Sequence, residues 1–291
     1  MSIENENSLP DKYSEGTAAG ERKTSTINGA EFAFRWQPAG SFMMPIREEY
    51  YFSNEGEYCI TLTKGFWMLE TPVTQRQWQA VMGNNPSKFN SDLGFNGNDV
   101  PLKEVSVMGS RIMVPVESND QNSFNSEDYP VENVSWFDCQ AFCQKCAELG
   151  LPVALPTEAQ WEYACRAGNW DYYTGNLSVM AWHKFNSGDK THCVAKKEPN
   201  AWGLYDMFGN VWEWCQDWYE ENGSIYDQDD NVTDPTGPSE GYGRLLRGGS
   251  FANVVTGFDS PEQCLSETYN SADPEQRSRT FGFRVIISKT S

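Results

Sequence analysis

Apolar positions settle into a two-residue rhythm near Glu31. Phe32, Phe34 and Trp36 alternate with smaller or polar residues, which predicts a strand. Pro38, Ala39 and Gly40 supply a turn ahead of Phe42, Met43 and Met44, and another strand is predicted from Tyr58 to Leu69. Three helix starts carry a capping oxygen three residues before an acid or amide: Thr74 with Gln77, Ser135 with Asp138, and Thr157 with Gln160. The first helix is expected to bury Trp78, Val81 and Met82 and to stop at Gly83. The second buries Trp136, Cys139, Cys143 and Cys146 and stops at Gly150. The third carries Trp161, Ala164 and Cys165 and ends at Gly168.

The polar stretches divide the chain differently. Residues 1–28 hold few apolar side chains and read as a flexible tail, followed by a single domain over 29–291. Residues 84–129 are rich in Asn, Ser, Asp and Gly and read as a surface insertion. After Gly168 the pattern is of loops and short strands with many Gly, Asn and Trp. Such a backbone needs aromatic packing, side-chain hydrogen bonds or ions where ladders are scarce.

Composition narrows the function classes. Eleven tryptophans among 291 residues, with 14% aromatics, require a large packed core. The formal net charge is −19, from 22 basic and 41 acidic residues. That surface repels phosphate backbones and anionic lipid heads, so nucleic acid is not the expected partner. Acidity suits hard cations such as calcium, or serves solubility alone. No apolar run approaches the ~18 residues of a membrane span. The first residues lack the basic and apolar blocks of a signal peptide, which leaves a cytoplasmic protein and a mature-form start both open.

Of the eight cysteines, Cys139, Cys143 and Cys146 fall with Trp136 on the inward stripe of a helix. Small buried core residues are the first reading of that spacing; a metal cluster and disulfides are the others. Two histidines, His183 and His192, are too few for a three-histidine site, and no serine hydrolase nucleophile motif is present.

Six short words recur in a specific order: Phe66-Trp67-Met68 with Glu70-Thr71-Pro72-Val73-Thr74; Pro130-Val131-Glu132-Asn133-Val134-Ser135-Trp136; Leu155 through Ala164; Gly203 through Trp214; Arg247-Gly248-Gly249-Ser250-Phe251; and Gly282-Phe283-Arg284-Val285. In this order they resemble the formylglycine-generating, or sulfatase-modifying factor, family over roughly residues 32–287. The resemblance implies an α+β, C-type-lectin-like fold, loop-rich with few regular elements. It also implies a calcium site in which Asp206 and Glu213 give carboxylates and Gly209 and Val211 give carbonyls. The other reading of those residues is that Asp206 caps the turn and Glu213 pairs with an arginine.

The family's oxidase chemistry uses two cysteines shortly after the Gly-Gly-Ser word, which hold copper as thiolates. The matching positions here are Asn253 and Phe258, and neither side chain can do this. Cys264 lies nearby, with Cys215 as a conceivable partner. The resemblance therefore implies a scaffold without the family's catalysis and with no required cofactor, the calcium of that site being structural and one of two readings.

Residues 251–281 show neither helical nor strand periodicity between two strong family words. The arrangement is similar to the variable proteins of diversity-generating retroelements of the treponemal type. Their variable region follows Arg-Gly-Gly-Ser and finishes at Gly-Phe-Arg. That resemblance implies a displayed ligand-binding surface with candidate contacts Phe251, Asn253, Val255, Thr256, Phe258, Leu265, Glu267, Thr268, Ser271, Gln276, Arg279 and Phe281. For Phe251 and Phe281 the other reading is ordinary core. It further implies an unidentified protein or cell-surface ligand, a monomer, and a cell-surface or extracellular setting. An oxidase acting on a protein cysteine is the alternative function.

Overall fold

A computed structural model describes residues 13–45, 57–90, 102–107, 110–115, 126–169, 177–219, 231–253 and 269–288. The elements follow in the order β1 (Arg22–Ile27), β2 (Ala30–Gln37), β3 (Gly40–Pro45), β4 (Glu57–Leu62), β5 (Phe66–Leu69), α1 (Gln75–Met82), β6 (Leu102–Val107) and β7 (Ser110–Pro115). After these come α2 (Trp136–Glu148), α3 (Glu158–Arg166), the single turn α4 (Leu177–Met180), β8 (Trp212–Tyr219), β9 (Asn231–Thr233), β10 (Gly243–Arg247), β11 (Tyr269–Ala272), β12 (Phe281–Gly282) and β13 (Ile286–Ser288).

Among the described residues, two four-stranded sheets run β1-β2-β5-β13 and β11-β10-β8-β12. A three-stranded sheet runs β3-β4-β9, and β6 and β7 form a hairpin. The chain closes on itself: β13, near the C-terminus, pairs antiparallel with β5, setting Ile286 opposite Met68 and Ile287 opposite Trp67.

Successive side chains of a strand point to opposite faces, and here both faces are covered. On β5, Trp67 and Leu69 enter one apolar core while Phe66 and Met68 enter a second. On β8, Trp212 and Trp214 join the first core and Cys215 the second. The sheets thus stand between two cores, with Trp78 of α1 and Phe142 of α2 in the first and Trp161 of α3 in the second. Trp78 stacks on Phe142 at 5.4 Å, and Phe283 meets both rings edge-on.

All three predicted capping boxes are present in full. Gly83 closes α1 in the left-handed region, while α2 ends at Leu149 ahead of Gly150 and α3 at a left-handed Ala167 ahead of Gly168. Cys139, Cys143 and Cys146 line the buried side of α2 as free thiols, which is the core reading of their spacing.

Three expectations change. The strand predicted from Tyr58 to Leu69 is two strands in different sheets, β4 and β5. The break falls at Thr63–Gly65, where a Cβ on Gly65 would collide with the Trp36 ring. The predicted tail is ordered in its second half: β1 pairs along β2, and Tyr13 is buried against Phe34 at 6.3 Å. Residues 1–12 lie outside the described residues. The predicted insertion begins later than residue 84, because Ser87, Phe89 and Asn90 are buried and Gln75 donates to the Phe89 carbonyl at 2.9 Å.

Candidate functional site

The segment 251–281 leaves a base held by buried charges. Arg247, fully buried at the end of β10, pairs with Glu158 at 3.2 Å and with Glu162, which also binds Arg166. Glu158 in the first turn of α3 suits the positive end of the helix, and the arginines neutralise both acids. Gly248 and Gly249 follow with φ of 92° and 75°. The chain thereby doubles back, and Phe251 N–H donates to the Asn210 carbonyl at 3.0 Å. Asn253 secures the same turn, its Oδ1 accepting from Ser250 N–H at 2.7 Å and from the Ser250 hydroxyl at 2.6 Å.

The far end of the segment returns to the same place. Trp136 N–H donates to the Pro274 carbonyl and Asn133 N–H to the Ser278 carbonyl, while Arg277 pairs with Asp138 at 2.7 Å. Arg279 lies 5.5 Å from the Phe251 ring and 5.8 Å from Phe89, and these two rings meet edge-on at 5.4 Å. Phe281 enters β12 beside β8 and contacts Trp214 at 5.3 Å.

Of the twelve candidate contacts, Gln276 and Arg279 are exposed, and Asn253 and Ser271 are half-buried. Phe251 and Phe281 are core residues, 0% and 6% exposed, and sit beneath the surface rather than on it. Phe251 packs edge-on against Phe89 and Phe281 against Trp214, and burying a ring of this size stabilises the fold by ~2 kcal/mol. Val255, Thr256, Phe258, Leu265, Glu267 and Thr268 lie outside the described residues.

Two parts of this face escape the reading of the sequence. Glu132 is fully buried under it, accepts from Phe89 N–H at 2.8 Å, and is pushed up to about 7 by burial, against the backbone N–H donors of Phe89 and Lys88 and the charges of Lys88 and Arg279. The turn at His183–Lys190 abuts the segment: Lys184 N–H donates to the Asn253 carbonyl at 3.2 Å, and the Ser187 hydroxyl to the Phe251 carbonyl at 3.0 Å. Asp189 stands 3.6 Å from Arg279. No residue pattern marked this turn, since its role comes from its neighbours in space.

The four calcium candidates are together but do not fit an ion. Glu213 is fully buried and holds Arg284 with both oxygens, Oε2 to Nε at 2.6 Å and Oε1 to Nη2 at 2.7 Å, and Oε2 also accepts from Trp161 Nε1 at 2.8 Å. Asp206 accepts from Ala195 N–H at 2.8 Å and from the Asn210 amide at 3.3 Å. Burial pushes its carboxyl up to about 6. Calcium wants six to eight oxygens free to turn toward it, whereas here a guanidinium already supplies the positive charge. The arginine-paired reading of Glu213 is the one the geometry has. Among the described residues no group of three or more His, Cys, Asp or Glu is placed to hold a metal.

The five buried thiols are a poor copper site. Cys139, Cys143, Cys146, Cys165 and Cys215 are buried, and burial pushes Cys146 up to about 12 and Cys139, Cys143 and Cys165 further above the usual thiol range. A thiol so far from ionising is neither a nucleophile nor a ready metal ligand. Cys215, the conceivable partner of Cys264, sits wholly inside the second core. Cys264 itself lies outside the described residues.

This architecture defines a C-type-lectin-like fold of the formylglycine-generating type. The family described as sulfatase-modifying factor enzyme 1-like domain matches residues 20–289, and the chain belongs to it. The formylglycine-generating enzyme of Streptomyces coelicolor is 36% identical over 283 residues, covering 85% of this chain and 86% of that protein. The mouse formylglycine-generating enzyme is 32% identical over 185 residues, covering 58% of this chain; the chain spans about half of that enzyme's length, 46%. Among solved structures, Treponema denticola variable protein 1 superimposes with a TM-score of 0.70 at 30% identity, over 92% of this chain and 99% of that one. Among the described residues no helix is long and apolar enough to cross a membrane.

Proposed function

We propose that the protein is a non-catalytic binding protein that displays residues 251–281 as a ligand surface on a rigid base. The observation that carries this reading is the meeting of the segment's two ends. Phe251 and Phe281 are buried in place, and Arg279 returns onto Phe251 at 5.5 Å. A loop anchored at both ends on a packed core can vary between its anchors without a change in the core. Its ligand would be a protein or a cell-surface molecule, and one chain suffices to form the face. The similarity to a variable protein supports the same reading.

A second reading, a sulfatase-modifying oxidase acting on a protein cysteine, has the similarity to formylglycine-generating enzymes in its favour. It requires two thiolates side by side near the Gly-Gly-Ser turn. At residue 253 the side chain is an amide whose oxygen is taken up by Ser250. Titration of the reduced protein with Cu(I) against a chelating competitor separates the two. The display reading expects no stoichiometric copper complex to survive the competitor. One copper held tightly per chain, lost on Cys264→Ser, would establish the oxidase reading instead.

A further inference from the structure

The turn at residues 183–190 carries Phe185 with 69% of its surface exposed. This turn is not loose. Asn186 N–H and Ser187 N–H both donate to the His183 carbonyl, the Asn186 amide bridges His183 N–H and the Ala181 carbonyl, and Phe185 N–H meets His183 Nδ1 at 3.3 Å. Below it, His192 Nε2 lies 2.6 Å from the Ser187 carbonyl, and the His192 ring stacks on Trp182 at 3.8 Å. An exposed aromatic side chain on a backbone fixed by this many bonds brings less ordering cost to binding than one on an open loop. Rigid exposed aromatics of this kind are the usual anchors of protein interfaces.

Charge marks the same place. Residues 183–197 hold four lysines, Lys184, Lys190, Lys196 and Lys197, against one acid, Asp189, in a chain of net charge −19. Lys184 and Arg279 share Asp189, at 2.9 and 3.6 Å, and Lys88 and Arg279 both act on Glu132. Lys88, Lys184, Lys196 and Arg279 are exposed. An acidic partner is repelled by the molecule as a whole and drawn to this face.

We propose that the 183–190 turn is a fixed part of the binding face, with Phe185 as its anchor, and that it meets an acidic surface of a partner protein. This inference rests on the display reading of the adjoining segment and supplies the charge class of its ligand. The probe is a soluble copolymer of glutamate and tyrosine, with binding to the full chain followed by fluorescence anisotropy at low and moderate salt. The copolymer should bind the wild-type chain and weaken as salt rises. Phe185→Ser should weaken it about fivefold and the Lys184→Glu, Lys196→Glu double variant about tenfold. Leu149→Ser, which removes another exposed apolar side chain, should leave binding unchanged. Absence of binding, indifference to both sets of variants, or tighter binding of single-stranded oligo-dT overturns the inference. Phe258→Ser and Leu265→Ser report separately on the display reading. If they weaken binding while Phe185→Ser is silent, the turn is excluded and display stands. If Phe185→Ser weakens binding while they are silent, the turn stands and the display reading fails.

Discussion

Arg284 shows how one side chain decides between two chemistries. Its guanidinium satisfies both oxygens of Glu213 and also reaches the Tyr205 carbonyl at 2.9 Å, with both charged side chains fully buried. Breaking a buried pair strands a charge, so Arg284→Met should cost ~3–5 kcal/mol in denaturant unfolding. Added calcium should not raise the midpoint of the wild-type protein; a calcium-dependent rise would show that the ion competes with Arg284. Glu132 gives a pH dependence with a definite sign. Its folded value, about 7, lies above its ordinary 4.5, so the folded state binds the proton more tightly. The stability this group contributes is fully present below about pH 4.5 and is lost as pH rises through about 7. Relative to Glu132→Gln, the wild-type chain should therefore lose thermal stability between pH 5 and pH 8. A constant difference across that range would contradict the assignment. The sequence left an unnamed arginine open as the partner of Glu213; the fold makes it Arg284, and it also sets Arg247 against the buried Glu158 and Glu162 of α3.

Local signals were legible at the helices because capping is a contact within four residues. Thr74, Ser135 and Thr157 each accept from the third residue of the helix they cap, and the Cys139–Cys143–Cys146 stripe faces inward as its spacing requires. The strands were less legible because their partners are remote. Between Tyr58 and Leu69 the apolar pattern runs on, yet β4 pairs with β3 and β9 while β5 pairs with β2 and β13. Nothing within those residues announces which sheet each will join. In the same way β1 reads as polar because its burial is slight, and its order comes from the ladder with β2. Two substitutions separate the local from the remote contributions. Thr157→Ala removes one cap and should cost ~1 kcal/mol. Gly209 has a φ of 81° and a Cβ there would run into the Trp182 carbonyl, so Gly209→Ala should cost clearly more. Equal losses, measured by urea unfolding, would contradict this picture of the turn.

For the molecule as a whole, the described residues form two cores on either side of shared sheets, and these make the base. Family membership was legible from six ordered words because they are the scaffold: their apolar and charged side chains fill the interior. The candidate contacts were harder to sort, since Phe251 and Phe281 belong to the core while Arg279 is exposed at the surface. The central claim is that scaffold and surface are separable. The most direct measurement is a display library of this chain randomised together at Val255, Thr256, Phe258, Leu265, Glu267, Thr268, Ser271 and Gln276, sorted by protease resistance. Most members should remain folded and resistant, whereas a parallel library at Phe251, Phe281, Phe283 and Arg284 should be nearly all degraded. Comparable loss in both libraries would contradict the claim that the segment is carried by the fold rather than part of it.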